Sequence, residues 1–112
     1  MDLDLLFKAL ADPTRRRLLA ELDELDGQTL FDLHVRLVSW DALAISRQAL
    51  SKHLMVLEEA GLIRVEWRWR SKHHFIERKP LRRMSQTWLG PLAGRDLEEE
   101  HAEDRRDEYL GG

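Results

Sequence analysis

Two clusters of polar and cationic side chains carry the chemistry of this 112-residue chain. The first is Ser46, Arg47, Gln48, Ser51, Lys52 and His53, and the second is Arg64, Arg68, Arg70 and Lys72. Arginine pairs with guanine and glutamine with adenine, while serine and lysine reach bases or phosphates, so the first cluster has the chemistry of a major-groove reader. Arg47 and Gln48 are its expected base readers. The second cluster, with His73 close by, suits the phosphate backbone or an adjacent minor groove. Catalysis has no comparable footing: the sequence holds no phosphate-binding glycine loop, nucleophile elbow or paired-carboxylate arrangement. The chain is expected not to be an enzyme and to need no cofactor.

With no cysteine, disulfides, thiolate metal sites and thiol redox sensing are excluded. A metal site built from His73, His74, Glu98, His101 and Asp104 is a minor alternative, because adjacent strand residues such as His73 and His74 point to opposite faces. No metal site is expected. The net charge of −3 hides three blocks. Residues 1–43 hold 5 Lys/Arg against 9 Asp/Glu, residues 44–83 hold 10 against 4, and residues 84–112 hold 3 against 8. A positive middle segment attracts phosphates locally even in a chain that is negative overall.

The elements that must position these side chains follow from periodicity. Leu3, Leu6, Phe7 and Leu10 repeat at helical spacing over residues 2–11. Asp12-Pro13 restarts the chain as a cap and first helical position, giving a second helix over 13–25 with Leu18, Leu19, Leu22 and Leu25 inward. Arg15, Arg16 and Arg17 crowd its first turns, against the dipole preference, and form either a solvated face or a site for an anion. Thr29-x-x-Asp32 reads as a capping box for a third helix over 30–38. The segment 38–44, with its lone Trp40, reads as a widened turn or an extra helical turn. Ser46 caps a fourth helix with Ala49, Leu50, Leu54 and Leu57 buried, ended by Gly61.

From Leu62 the pattern alternates, predicting a strand with Ile63, Val65, Trp67 and Trp69 on one face and the two tryptophans beneath the wing as core. Arg70-Ser71-Lys72 is the predicted tip and His73–Glu77 the return strand. Lys79-Pro80 opens a fifth helix that bends or stops near residue 90 at Gly90-Pro91. The reading is a mostly α (α+β) winged helix-turn-helix with a two-stranded wing, in α-α-α-α-β-β-α order. Residues 1–92 form the DNA-binding and dimerisation domain, and residues 93–112 an acidic tail that is a marginal helix or disordered. The opening residues lack a signal peptide and no apolar run is long enough to span a bilayer, so a cytoplasmic protein without membrane contact is expected.

The stretch from Leu6 to Leu19, LFKALADPTRRRLL, and that from Ser46 to Ile63, SRQALSKHLMVLEEAGLI, resemble the ArsR/SmtB-type regulators. The resemblance extends through Pro80-Leu81 and Trp88-Leu89, covering roughly residues 3–92. It implies a homodimeric repressor that binds a double-stranded DNA operator. It further implies a dimer interface on the first and fifth helices, here Leu3, Phe7 and Leu10 with Leu81, Met84 and Trp88. The competing expectation is that these residues complete one monomer's core. The segment 38–44 is longer than the family's tight turn, and neither helix three nor helix five carries the family's metal ligands, so any small-molecule or metal effector is left unassigned. A protein-binding winged helix, in which the basic face only solubilises, is the alternative from another class.

Overall fold

The computed structural model describes residues 2–40 and 44–94. The chain divides into two compact units, Met1–Arg78 and Lys79–Gly112. The first contains four helices and a hairpin: α1 (Leu3–Leu10), α2 (Pro13–Glu24), α3 (Leu30–Trp40), α4 (Arg47–Glu59), β1 (Ile63–Arg68) and β2 (Ser71–Ile76). Its core is almost entirely leucine. Leu6, Leu18, Leu22, Leu33, Leu37, Leu50, Leu57 and Leu62 are each fully buried.

Each helix starts where a side chain satisfies its first free amides. Asp2 accepts from the amides of Asp4 and Leu5, at 3.0 and 3.2 Å. Asp12 accepts from those of Thr14 and Arg15, at 2.8 and 3.1 Å, ahead of Pro13. The expected capping box on α3 is reciprocal: the Asp32 amide donates to Thr29 Oγ1 at 3.2 Å, and the Thr29 amide donates to Asp32 Oδ2 at 3.1 Å. Ser46 Oγ accepts from the Ala49 amide at 3.1 Å. Gly61, at φ 76°, turns the chain out of α4 so that the Leu62 amide reaches Leu57 O at 3.0 Å.

Two boundaries differ from the sequence expectation by two residues. Helix α3 continues two residues further, to Trp40. The rest of the expected widened turn, residues 41–43, and the side chain of Trp40 lie outside the described residues. The hairpin tip is Trp69-Arg70, because Arg68 pairs with Ser71. The register puts Ile63, Val65, His74 and Ile76 on one face, and a slip by one residue would turn that set to solvent. That constraint pushes Trp69 into the turn at φ 58°, a left-handed conformation that a bulky residue rarely adopts. Trp67 and Trp69 are therefore not core: they are 66% and 89% exposed.

A third segment also bridges to the wing. Gln28 bridges His74, with the His74 amide donating to Gln28 O at 2.8 Å and the Gly27 amide donating to His74 O at 2.9 Å. Gly27 is at φ 77°, and a Cβ there would meet the Phe75 ring at 3.0 Å.

In the second unit, α5 (Lys79–Met84) passes into a π-helical turn, Ser85–Leu89, and a last turn, Gly90–Leu92. The ladder widens there because Pro91 has no amide to donate. The Gly90 amide instead reaches back to Ser85 O, an approach so close that a Cβ on Gly90 would lie 2.6 Å from that oxygen. The expected break near residue 90 thus takes the form of a π-turn. Most of the expected tail, residues 95–112, lies outside the described residues, as do Glu98, His101 and Asp104. Among the described residues, no helix is long and apolar enough to cross a membrane, and no three His, Asp or Glu residues are grouped to hold a metal ion.

Candidate nucleic-acid interface

At about 3.6 residues per turn, the face of α4 opposite Leu50, Leu54 and Leu57 carries Gln48, Lys52, Met55 and Glu59. All four are exposed. Arg47 lies at the edge of this face, its guanidinium 5.7 Å from the centre of the Phe31 ring on α3. Ser46 remains a cap, and no acidic residue stands in the first turn of α4, so the positive end of its dipole adds to Arg47. Met55, 53% exposed, shares that face, and sequence reasoning did not include it in the candidate site. Its spacing from Gln48 and Lys52 was the available signal.

Ser51 and Lys72 line the same cleft between α4 and the hairpin, together with Met55, Glu58, Val65 and His74. This cleft of about 170 Å3 joins α4 and the hairpin along one side. Arg70 sits at the tip, its guanidinium 5.0 Å from the Trp69 ring.

The other two hairpin arginines are arranged differently. Arg64 and Arg68 are on the hairpin face opposite Lys72 and Trp67, above the Phe75 ring at 4.5 and 5.3 Å. Arg64 also pairs with Glu66 at 3.0 Å and Glu77 at 2.9 Å, and Arg68 lies 3.7 Å from Glu66. Half of the wing's predicted cationic set is thus shared with carboxylates.

His53 turns away from the exposed face of α4. Its Nδ1 lies 3.1 Å from Arg15 Nη1, which can only donate, so the imidazole accepts there. Arg15 also donates to Ala9 O and Lys8 O, both at 2.8 Å, and Arg16 donates to Leu10 O at 2.7 Å. Arg17 donates to Glu21 at 2.6 Å. Two of the three arginines that looked misplaced at the start of α2, Arg15 and Arg16, close the C-terminal end of α1, where cations are favoured. Burial alone would raise the Asp12 carboxyl, but the amides of Arg15 and Thr14 and the charge of the Arg15 guanidinium hold it below the usual carboxylate range.

Both wing histidines are committed at Nδ1, His73 to Gly27 O at 2.7 Å and His74 to Gln28 O at 2.9 Å. They face opposite sides of β2, as the alternation predicted. Burial pushes the His74 imidazole below its ordinary value, partly opposed by its hydrogen bond to Gln28. Of the residues predicted for a dimer interface, Leu3 and Leu10 are half-buried and Phe7 is 38% exposed within α1. On the last helix Leu81 is half-buried, Met84 buried and Trp88 38% exposed.

Residues 10–66, from the end of α1 into β1, match a helix-turn-helix domain family. The uncharacterized HTH-type transcriptional regulator YuzN of Bacillus subtilis (strain 168) is 41% identical over 86 residues, 77% of this chain and 94% of that protein. An ArsR-like transcriptional regulator from Rhodococcus sp. RHA1 is similar in structure, with a TM-score of 0.66 and 32% identity, over 97% of this chain and 86% of its own. The ArsR family transcriptional regulator RHA00566 is similar too, with a TM-score of 0.67 and 29% identity, over 82% of this chain and 87% of its own.

Proposed function

The chain belongs to the ArsR-type helix-turn-helix transcriptional regulators, which bind DNA, and from that premise we propose that it is a homodimeric, cytoplasmic repressor without enzymatic activity. Each protomer lays α4 in the major groove of one operator half-site, about one helical turn of DNA from the other. Arg47 and Gln48 read base edges; Ser51, Lys52, Arg70 and Lys72 hold phosphates. Arg64 and Arg68 strengthen the field of the wing while exchanging between Glu66, Glu77 and the backbone of the duplex. His53 acts through Arg15, holding α4 against α1 and α2. The dimer forms through α1 and the last helix, with Leu3, Phe7, Leu10, Leu81, Met84 and Trp88 at its centre.

One observation supports this reading above the others: Ser51 of α4 and Lys72 of the wing line a single cleft, beside the exposed face of Gln48 and Lys52. The test is anisotropy of labelled duplex from the chain's own upstream region at two salt concentrations. With about six phosphates neutralised per dimer, the binding constant should fall with salt at a logarithmic slope of about −5. A flat salt response, or no preference over scrambled duplex, would favour the protein-binding alternative, to which the exposed Trp67 and Trp69 lend some support.

A further inference from the structure

The tip of the hairpin runs against its own turn chemistry. Trp69 and Arg70 make a two-residue connection in which Trp69 stands at φ 58°. Glycine, asparagine or aspartate usually fills such a position, because a bulky side chain there is strained. The same residue is the most exposed large apolar side chain among the described residues, at 89%. Its indole thus costs the fold stability and returns little burial. Strain of this kind clusters where a ligand is met.

The neighbouring side chains indicate which ligand. Trp67 pairs across the strands with Lys72, on the hairpin face that also carries Val65 and His74. Val65, Lys72 and His74 line the cleft together with Ser51 and Met55 of α4. Trp69 stands four residues past Val65, about 13 Å further out at the rise of an extended strand. Adjacent grooves of a duplex are separated by a comparable step, about 17 Å or half a helical turn. Arg70 lies over the indole, 5.0 Å from the ring centre. Unlike Arg64 and Arg68, neither Arg70 nor Lys72 has a carboxylate partner among the described residues. An apolar plate between two unpaired cations complements a groove with phosphates on both walls. The minor groove, about 6 Å wide, is too narrow for a helix or a ribbon but takes the edge of a flat ring.

We propose that Trp69 reads DNA shape: its indole enters the minor groove beside each half-site and wedges against a base step, while Arg70 and Lys72 hold the flanking phosphates. A wedge partly unstacks the step it enters, and pyrimidine–purine steps such as TA yield more easily than stiff A-tracts. Trp69 therefore selects a flexible step outside the bases that Arg47 and Gln48 read. This selection rests on the DNA-binding mode proposed above; the strain and exposure of Trp69 do not.

The test is a cycle between protein and DNA, run on the full chain by anisotropy. Wild type and Trp69→Gly, which suits φ 58° and keeps the turn, are titrated against operator duplexes whose flanking steps are in turn TA or part of an A-tract. At one flanking step the wild type should bind the TA duplex about tenfold more tightly, and Trp69→Gly should bind both equally. 2-Aminopurine at that step should brighten when the wild type unstacks it and stay dark with Trp69→Gly. Preference for cognate over scrambled half-sites should survive in Trp69→Gly, since Arg47 and Gln48 are untouched. The inference falls if the wild type prefers no flanking step, if 2-aminopurine stays dark with it, or if Trp69→Gly keeps the preference. Equal binding by both proteins would leave the indole to a protein partner. Loss of the half-site preference in Trp69→Gly would also overturn the inference, because the residue would then only shape the wing. A wild type with no affinity for any duplex would remove the DNA-binding mode itself, an outcome distinct from one that binds its operator and ignores position 69.

Discussion

Arg15 and Arg16 illustrate how a side chain's partner can be invisible in its own element. At the start of α2 they oppose the dipole, yet across the corner they cap the carbonyls of Lys8, Ala9 and Leu10. Periodicity within one helix cannot report a corner between two. The proposed base readers belong to this scale as well. Arg47→Ala or Gln48→Ala should relax sequence preference, at a cost of about 1–3 kcal/mol on the cognate site. Arg70→Ala or Lys72→Ala should weaken all duplexes alike and reduce the salt slope by about 1 each. Competition between cognate and scrambled duplex separates the two classes, and identical behaviour of both pairs would remove the role assignment. Trp69 offers a prediction of opposite sign. Trp69→Gly should stabilise the fold by about 1 kcal/mol in urea unfolding, because glycine adopts φ 58° without the steric penalty.

Helices were the legible part of this chain at the scale of elements. Asp12-Pro13, Thr29-x-x-Asp32 and Ser46 mark their starts with side-chain chemistry that acts locally, and all three caps form. The return strand begins two residues earlier than the alternation suggested, because strand register depends on which face is buried and on the distant partner Gln28, neither written in the alternation itself. Glu21 was hidden for a similar reason. It is fully buried on α2, held by Arg17 at 2.6 Å and by Arg36 of α3 at 2.5 Å. Glu21→Ala should cost on the order of 3 kcal/mol, since it removes the buried carboxylate that Arg17 and Arg36 both pair with. Urea unfolding would check it, and a loss below 1 kcal/mol would mean the pair contributes little. His74 makes stability depend on pH. The fold holds its ring neutral, so the folded chain binds fewer protons than the unfolded one just below the unfolded value of about 6.5. This contribution is complete above that value and is lost as pH falls toward the lower folded one. The urea midpoint should therefore be lower at pH 5.5 than at pH 7.5, and His74→Asn should flatten the difference.

For the molecule as a whole, the blocks of charge and the two long motifs were enough to indicate a winged helix-turn-helix of the ArsR type. The cleft between α4 and the hairpin was not legible, since it arises from how the wing packs against that helix. Dimerisation also belongs here. Leu3→Arg should lower the association constant in sedimentation equilibrium and weaken a full operator far more than an isolated half-site. The rung between Gln28 and His74 has a mechanical consequence for the assembled protein. A ribbon of two strands alone would be soft along its whole length, but here the base of the hairpin is stitched to the body of the domain. Flexing is thereby confined to the stretch beyond it, from Trp67 round to Lys72. Amide exchange should be slow at His74 and fast at Lys72, and the ordering entropy lost on meeting a duplex should come from those few residues alone.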